Sequence, residues 1–293
     1  MPGVTPPGVV LGRPGGWTEA FEVQVSAEQA RAYAAATNER DERFLTGEVA
    51  PPMFASVVVR PAIRAVFDVA IPAGLPPSVP RLAGEQDMRF HHPIRPGASV
   101  RTRARFLAIS PKSSGTVLSY HLQVHSVDDI LLNDQYMKTF LPGVSWPREE
   151  GEAPASEPIP MAVRGAPTVA RLSQRFDADQ TFRYAAASGD SSRWHVDDEA
   201  ARAAGLPGII IHGLCTMAFI GRAVAGHVAA GNALRLRRLA VRFSRPIFPN
   251  DPMRTDLWDG GDVEGGRRYY CEATRSDGER VLTNGIVEVH GVS

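Results

Sequence analysis

The sequence predicts an α+β protein that consists of two tandem copies of one unit, in each of which an antiparallel sheet wraps around a long helix. Three observations lead to this prediction. Two blocks of sequence recur at nearly the same spacing, each copy contains a long apolar segment, and runs of alternating polar and apolar residues follow each segment. Recurrence at one spacing indicates duplication, and a helix followed by several strands packs as an α+β layer.

The duplication rests on two pairs of matching blocks. "ARAYAAATNERDERF" (30–44) aligns with "FRYAAASGDSSRWH" (182–195), and "RFHHPIRPGASVRT" (89–102) aligns with "RFSRPIFPNDPMRT" (242–255). Because both pairs lie at almost one offset, we interpret the chain as a tandem repeat.

The two copies and the segments around them have distinct compositions. Residues 1–18 are rich in proline and glycine, and we expect a flexible N-terminal segment that lacks the features of a secretion signal. Residues 19–142 form the first repeat, which has lost the candidate site residues described below. Residues 143–167 are rich in Pro, Glu and Ala without helix or strand periodicity, which predicts a linker. Residues 168–293 form the second repeat, which carries the predicted site.

Within each copy the predicted elements follow the same order. A short helix carries the Tyr-Ala-Ala-Ala segment, a loop follows, and a longer apolar helix comes next, over 53–70 with a kink at Pro61 and over 213–229. Alternating runs then predict strands; they cover 99–110, 116–127 and 131–141 in the first copy, and 236–247, 253–260, 267–276 and 280–291 in the second.

Composition excludes several classes of partner. Lys+Arg and Asp+Glu are both 32, so the net charge is zero, which argues against a nucleic acid held by bulk electrostatics. The apolar run 208–231 is interrupted by residues such as Arg222, which is costly in a bilayer, so we predict no membrane partner. Cys215 and Cys271 lie far apart without metal-ligand spacing, which is typical of reduced thiols in a cytoplasmic protein.

The stretch "SGDSSRWHVDD" (188–198) contains the candidate catalytic residues. Asp190 and His195 lie in the loop after the short helix, where an acid and an imidazole can share one substrate atom and transfer a proton. Gly213 stands at the predicted start of the long helix, whose unpaired N–H groups carry partial positive charge. The three suit chemistry that passes through an enolate. The alternative is structural: Asp190 caps a turn, and His212 packs before the helix.

The duplication provides a second observation. In the first copy Glu39 aligns with Asp190, Phe44 aligns with His195, and a Pro-Pro pair stands near the position of His212-Gly213. One copy therefore keeps the scaffold without the histidine, which favours a single active site in the second copy.

The segment "SGDSSRWHVDDEAARAAGLPGIIIHGLCTMA" resembles the hydratase 2 motif of the MaoC-like dehydratases, the (R)-specific enoyl-thioester hydratases. The matching positions include Asp190, His195, Asp197 and His212-Gly213. "RFSRPIFP" (242–249) resembles the next landmark of that family, and the resemblance covers most of 168–290. The duplicated layout resembles the members with two hotdog repeats, in which the degenerate first repeat holds the acyl chain.

The resemblance implies a double hotdog fold and a hydro-lyase that interconverts (R)-3-hydroxyacyl and trans-2-enoyl thioesters of coenzyme A or acyl-carrier protein. It implies catalysis by Asp190 and His195, with the thioester oxygen on the Gly213 N–H, and we expect His212, Ser192 and Trp194 to contribute to oxyanion or substrate binding. No metal and no cofactor are expected, and a homodimer is compatible with this interpretation.

The sequence departs from the family motif. Ser192-Arg193 replaces Asn-Pro, Trp194 replaces an aliphatic residue, and Gly221 replaces a serine that assists the oxyanion site in some members. We interpret this as a changed substrate or a slower enzyme. Two other functions are kept as alternatives: a hotdog acyl-thioesterase, and a non-catalytic acyl-thioester binding protein. His91 and His92, expected at the start of a strand, have no third ligand in the sequence pattern, so no metal site is predicted there.

Overall fold

The computed structural model describes residues 6, 8–76 and 79–291. Helices and strands in the described residues confirm the α+β class. The helices are α1 (Ala27–Ala36), α2 (Glu42–Leu45), α3 (Ala55–Val58), α4 (Arg60–Ala70), α5 (Met161–Arg164), α6 (Gln180–Ser188), α7 (Asp198–Ala203) and α8 (Gly213–Val228). The strands are β1 (Phe21–Gln24), β2 (Leu82–Phe90), β3 (Ser99–Lys112), β4 (Gly115–Ser126), β5 (Leu131–Pro142), β6 (Glu150–Gly151), β7 (Ala170–Arg175), β8 (Leu236–Phe243), β9 (Pro252–Val263), β10 (Gly266–Arg275) and β11 (Arg280–His290).

The chain divides into two compact units whose boundaries differ from the predicted repeats. Unit 1 contains Met1–Val23, Val58–Met88 and Ser99–Ser156, and unit 2 contains Gln24–Val57, Arg89–Ala98 and Glu157–Ser293. Part of the first repeat therefore belongs to the compact unit of the second. The reason lies in the helices that carry the repeated Tyr-Ala-Ala-Ala segment, because α1 packs against α6 and the rings of Tyr33 and Tyr184 lie 5.7 Å apart.

The sheet of unit 1 has the strand order β1-β3-β4-β5-β2, and β6 pairs with β3. Alternate residues of β3 are buried through most of the strand, as expected for one buried face. Helix α4 lies against β3 and β4. Phe106 stacks on Tyr120 with ring centroids 5.5 Å apart, and Phe67 meets the same tyrosine edge-on at 5.2 Å.

The N-terminal segment is held against unit 1 over part of its length. Residues 1–5 and 7 of the segment predicted to be flexible lie outside the described residues. Leu11 is buried, the Gly12 N–H donates to the Ala70 carbonyl, and the Thr18 N–H donates to the Ala104 carbonyl at 2.7 Å. Residues 12–18 are thus hydrogen-bonded, which differs from the expected flexible segment.

The helix predicted over 53–70 is broken where proline predicts a kink. A 3-10 turn at Pro52–Phe54 leads into α3, and α4 begins at Arg60, one residue before Pro61. Proline lacks an N–H and its ring clashes with the preceding turn, so a regular helix does not continue through it.

The sheet of unit 2 has the strand order β8-β11-β10-β9-β7, and α8 contacts β7, β8 and β11. Helix α8 begins at the predicted residue. Gly221 lies close to β8, since a Cβ there would stand 3.0 Å from Leu239. The predicted linker contains a buried residue, Ile159, and helix α5, from which Arg164 forms an ion pair with Glu272 at 2.7 Å.

The remaining differences concern strands that the sequence analysis does not predict. These are β1, β2, β6 and β7. His91 and His92 follow the end of β2 and do not begin a strand, which corrects the expectation. Within the described residues, the structure contains no helix of the length and apolar character needed to cross a membrane.

Candidate active site

The loop that carries the predicted acid–base pair begins at a sharp turn. Helix α6 ends at Gly189, whose φ of 72° is in the left-handed region that glycine adopts at helix ends. Asp190 follows directly, and a 3-10 turn over Arg193–His195 brings the histidine back toward it. Asp197 then caps α7 by accepting from the Ala200 N–H at 3.0 Å, so this motif residue shapes the loop.

The structure brings the predicted pair together and adds a third residue. The nearest carboxylate and ring-nitrogen atoms of Asp190, His195 and His212 all lie within 4.8 Å of one another. His212 immediately precedes α8, so the cluster lies at the start of that helix. The site therefore combines a carboxylate, two imidazoles and the electropositive end of a helix.

The hydrogen bonds of His195 determine its protonation state. Its Nδ1 lies 2.8 Å from the carbonyl oxygen of Ile210, which only accepts, so Nδ1 carries the hydrogen. The Trp194 indole N–H donates to Nε2 at 3.0 Å, and therefore Nε2 carries a lone pair. The Thr181 hydroxyl also donates to the backbone carbonyl of His195. His195 is thus a neutral imidazole with its basic nitrogen at Nε2.

Burial acts in the same direction. His195 is buried, and the loss of solvation lowers the pKa of its imidazole, although the bond to Ile210 and the charge of Asp190 oppose that shift. A neutral imidazole is the form that accepts a proton. The histidine is accordingly prepared to act as a base at neutral pH.

Ser192 orients the carboxylate of Asp190. The Ser192 hydroxyl donates to Oδ1 of Asp190 at 2.7 Å, and the Ser192 backbone N–H donates to the same oxygen at 3.3 Å. These two contacts fix the orientation of the carboxylate. Ser192, which stands where the family motif has asparagine, contacts the predicted acid. Its expected part in oxyanion or substrate binding stays a prediction.

His212 supports the pair from the helix start. Its ring stacks on His195 with centroids 3.8 Å apart, and it also packs on Tyr184 at 4.8 Å. Its Nε2 donates to the backbone carbonyl of Asp190 at 2.9 Å. These contacts join the loop of the predicted pair to the start of α8, and the expected part of His212 in oxyanion or substrate binding stays a prediction.

Gly213 occupies the first position of α8, and no side chain caps this helix start. The backbone N–H groups of a first helical turn have no partner within the helix and attract an anion or an oxygen with developing negative charge. A Cβ at Gly213 would lie 2.9 Å from the ring of Phe243. A side chain at this position would therefore force the Phe243 ring or the helix start to move, whatever the Gly213 N–H binds.

Two supporting residues were missed in the sequence. Ile210 accepts a hydrogen bond from His195 through its backbone carbonyl oxygen, a group that every residue type has. Thr181 donates to the backbone of His195 but lies far from it in the sequence. The indole of Trp194 contacts the His195 imidazole, and its expected part in oxyanion or substrate binding stays a prediction. These contacts depend on how the backbone folds in space, which the alternation and spacing of residues in the sequence do not predict.

The corresponding loop of the first copy lacks an acid–base pair. Phe44, at the position of His195, is fully buried, and Glu39, at the position of Asp190, lies near Arg222. Asp190, His195 and His212 are also spaced as potential metal ligands. Nδ1 of His195 and Nε2 of His212 already face carbonyl oxygens.

Comparison with known proteins places the chain among acyl-thioester dehydratases. The family model "MaoC like domain" matches residues 155–279, and "FAS1-like, dehydratase domain region" matches residues 13–128. The chain is 30% identical over 244 residues to "3-hydroxyacyl-thioester dehydratase Y" of Mycobacterium tuberculosis, covering 80% of this chain and 79% of that protein.

Longer proteins and solved structures are similar as well. "Peroxisomal multifunctional enzyme type 2" of mouse is 28% identical over 210 residues, 71% of this chain and 27% of that enzyme, so the chain spans about a quarter of that relative. The structure of a MaoC-like dehydratase from Phytophthora capsici superposes with a TM-score of 0.80 at 22% identity, covering 96% of this chain and 97% of that one. Together with likeness to a structure described as a double hotdog, this shows the fold.

Proposed function

The chain belongs to the MaoC-like dehydratase family of hydro-lyases, and from that premise we propose that it interconverts (R)-3-hydroxyacyl and trans-2-enoyl thioesters with Asp190 and His195 as its acid–base pair. The observation that carries this proposal is the convergence of the two side chains beside the uncapped start of α8. The thiol component is coenzyme A or acyl-carrier protein.

His195 carries the proton through the reaction, and Asp190 holds the hydroxyl group and stabilises the charged histidine. An imidazole is a stronger base than a carboxylate, and Ser192 already donates two hydrogen bonds to Oδ1 of Asp190. In the dehydration direction, Nε2 of His195 takes the C2 proton, and the electron pair moves onto the thioester oxygen to form an enolate. The N–H of Gly213 stabilises that oxygen.

The second half of the reaction returns the same proton. The His195 imidazolium donates it to the 3-hydroxyl group as the C3–O bond breaks, the C2–C3 double bond forms, and water leaves. Asp190 holds the hydroxyl group and stabilises the imidazolium by its negative charge. No proton is gained or lost over the cycle, and hydration follows the reverse path.

The contact between Trp194 and His195 must break before the proton transfer begins. Its indole N–H donates to the nitrogen that must accept the proton. The indole therefore has to leave Nε2 when the acyl chain enters, and the replacement of an aliphatic residue by tryptophan makes substrate entry more selective.

The alternatives are tested by two measurements on one sample with crotonyl-CoA. Loss of enoyl-thioester absorbance without release of free thiol supports a hydratase, thiol release supports a thioesterase, and saturable binding with neither supports a binding protein. Coupling to an (R)-specific 3-hydroxyacyl-CoA dehydrogenase reports the stereochemistry. Glu39→Gln is the matched control for Asp190→Asn, because it neutralises the aligned acid of the first copy and should leave turnover unchanged.

The proposal extends to the cellular compartment and the oligomeric state of the protein. Both cysteines are free and buried, which is compatible with a reducing compartment, and we propose the cytoplasm and, as its assembly, a homodimer. Size-exclusion chromatography with light scattering measures the mass in solution, and a monomer at the concentration of the assay would reject the dimer.

A further inference from the structure

Unit 2 contains a second concave site away from the catalytic pair. A cleft of about 1100 Å³ lies among the loop after α1, strand β7 and the C-terminal half of α8. Arg222 lines it, nine residues after Gly213, which is about 14 Å along the helix. Gly213 and Gly221 of α8 face β8, whereas Arg222 faces the cleft. The catalytic residues Asp190 and His195 do not line this cleft.

The cleft has more positive than negative groups available to a ligand. Among the described residues, Arg40, Arg175 and Arg222 line it without forming an ion pair with a carboxylate. Two of its acids are already engaged: Asp41 pairs with Arg43 at 2.6 Å and Asp177 pairs with Arg183 at 2.5 Å. Glu39 is the remaining acid of the lining.

Glu39 does not cancel this charge. Burial raises the pKa of its carboxyl to about 7, although the positive charge of Arg222 acts in the opposite direction. A large share of Glu39 is therefore protonated and uncharged at neutral pH. Burial likewise lowers the pKa of Arg222; the charge of Glu39 opposes that shift, and the like charge of Arg40 adds to it.

Arg222 is held with part of its guanidinium available. Nη1 donates to the Asn38 carbonyl at 2.8 Å, and the group lies over the Phe219 ring at 4.9 Å from its centroid. Its Nε is buried without a hydrogen-bond partner among the described residues, as is Oε1 of Gln174, which also lines the cleft. Both atoms are shielded from solvent, so a ligand in the cleft reaches Arg222 through the part of its side chain that stays exposed.

We propose that this cleft is a binding site for a phosphate ester, held by Arg222 with Arg40 and Arg175 at its rim. Guanidinium groups recognise phosphate oxygens through planar, charge-assisted hydrogen bonds, and Phe44 and Leu172 supply apolar surface for the organic part of the ligand. The cleft includes Glu39, the counterpart of Asp190. The degenerate copy of the catalytic loop thus contributes to binding in place of chemistry.

The test is isothermal titration of the full chain with inorganic pyrophosphate and with adenosine 3′,5′-bisphosphate. We expect saturable binding that Arg222→Gln weakens by about 10- to 100-fold. Arg40 is exposed and has no described contact to lose, so Arg40→Gln should fold normally and weaken binding by about 2- to 5-fold. Melting temperatures identify any variant that fails to fold.

Two controls separate this site from others. Arg245→Gln removes an exposed arginine outside the cleft, and Asp190→Asn alters the catalytic pair; both should bind the probes like the wild type. Absence of saturable binding to either probe, or equal affinity in wild type, Arg222→Gln and Arg40→Gln, overturns the proposal. Because the titration does not involve turnover, its failure is distinguishable from failure of the proposed reaction.

Kinetics then identify the source of the phosphate. If the occupant is the nucleotide of the coenzyme A substrate, Arg222→Gln raises KM for crotonyl-CoA and leaves KM for crotonyl-pantetheine, which lacks the nucleotide, unchanged. If the occupant is a separate phosphorylated molecule, neither KM changes while probe binding is still lost. Either result supports the site and assigns its ligand.

Discussion

Replacement of Gly213 tests how the start of α8 serves both packing and catalysis. An alanine Cβ would lie 2.9 Å from one atom of the Phe243 ring and 3.1 Å from the next. Contacts this short do not persist, so either the ring or the helix start must move. Overpacking of this kind costs about 1–3 kcal/mol, which corresponds to a decrease of roughly 2–8 °C in melting temperature for a chain of this size.

The clash can be removed without touching the helix. In Phe243→Leu the side chain lacks the Cε1 and Cζ atoms that would lie 2.9 and 3.4 Å from the new Cβ. Gly213→Ala should therefore cost less stability in the Phe243→Leu background than in the wild type. Calorimetric melting and turnover of crotonyl-CoA well below the melting temperature are measured on all three variants. If Gly213→Ala melts like the wild type, the packing argument is wrong.

The same background isolates the N–H group. Proline is favoured at the first helical position, and His212 has an extended backbone (φ −59°, ψ 135°) that a following proline tolerates. Gly213→Pro/Phe243→Leu and Gly213→Ala/Phe243→Leu therefore differ chiefly in the Gly213 N–H. Loss of one oxyanion donor should lower kcat by about 10²–10³; equal kcat in two folded double variants would refute the role of this N–H.

The remaining predictions concern the catalytic pair and its counterpart. Asp190→Asn and His195→Ala should each lower turnover by about 10²–10⁴, with a double variant far less impaired than the product of the two because the groups act together; near-normal turnover in either single variant rejects the pair. Since burial lowers the pKa of His195, the acid limb of kcat/KM should fall below the usual histidine value of about 6.5. Trp194→Phe removes the donor that stabilises neutral imidazole, so this limb should move up by about 0.4–1 pH unit; an unchanged limb contradicts the described contact. Phe44→Ala should lower the free energy of unfolding by about 3–5 kcal/mol in denaturant titration, and a loss of turnover per folded molecule would place catalysis in the first copy.

The amino-acid sequence was sufficient to predict those features of the protein that depend on neighbouring residues or on the internal repeat. The duplication is visible as matching residues in the two copies. Pro61 predicts the break between α3 and α4. The apolar segment that follows Gly213 predicts the start of α8 at that residue. The candidate pair could be recognised because Asp190 and His195 occupy one loop, where chain connectivity alone keeps them near each other.

Only the tertiary structure decided the state of the site and the division of the chain. The neutral form of His195 depends on the Ile210 carbonyl, on the Trp194 indole and on burial. The two compact units depend on packing of α1 against α6, and the cleft depends on Arg222 reaching the loop after α1. Each of these is a relation between a side chain and distant backbone or solvent. Residue type and spacing do not encode such relations, whereas the folded chain determines them through burial and hydrogen-bond geometry.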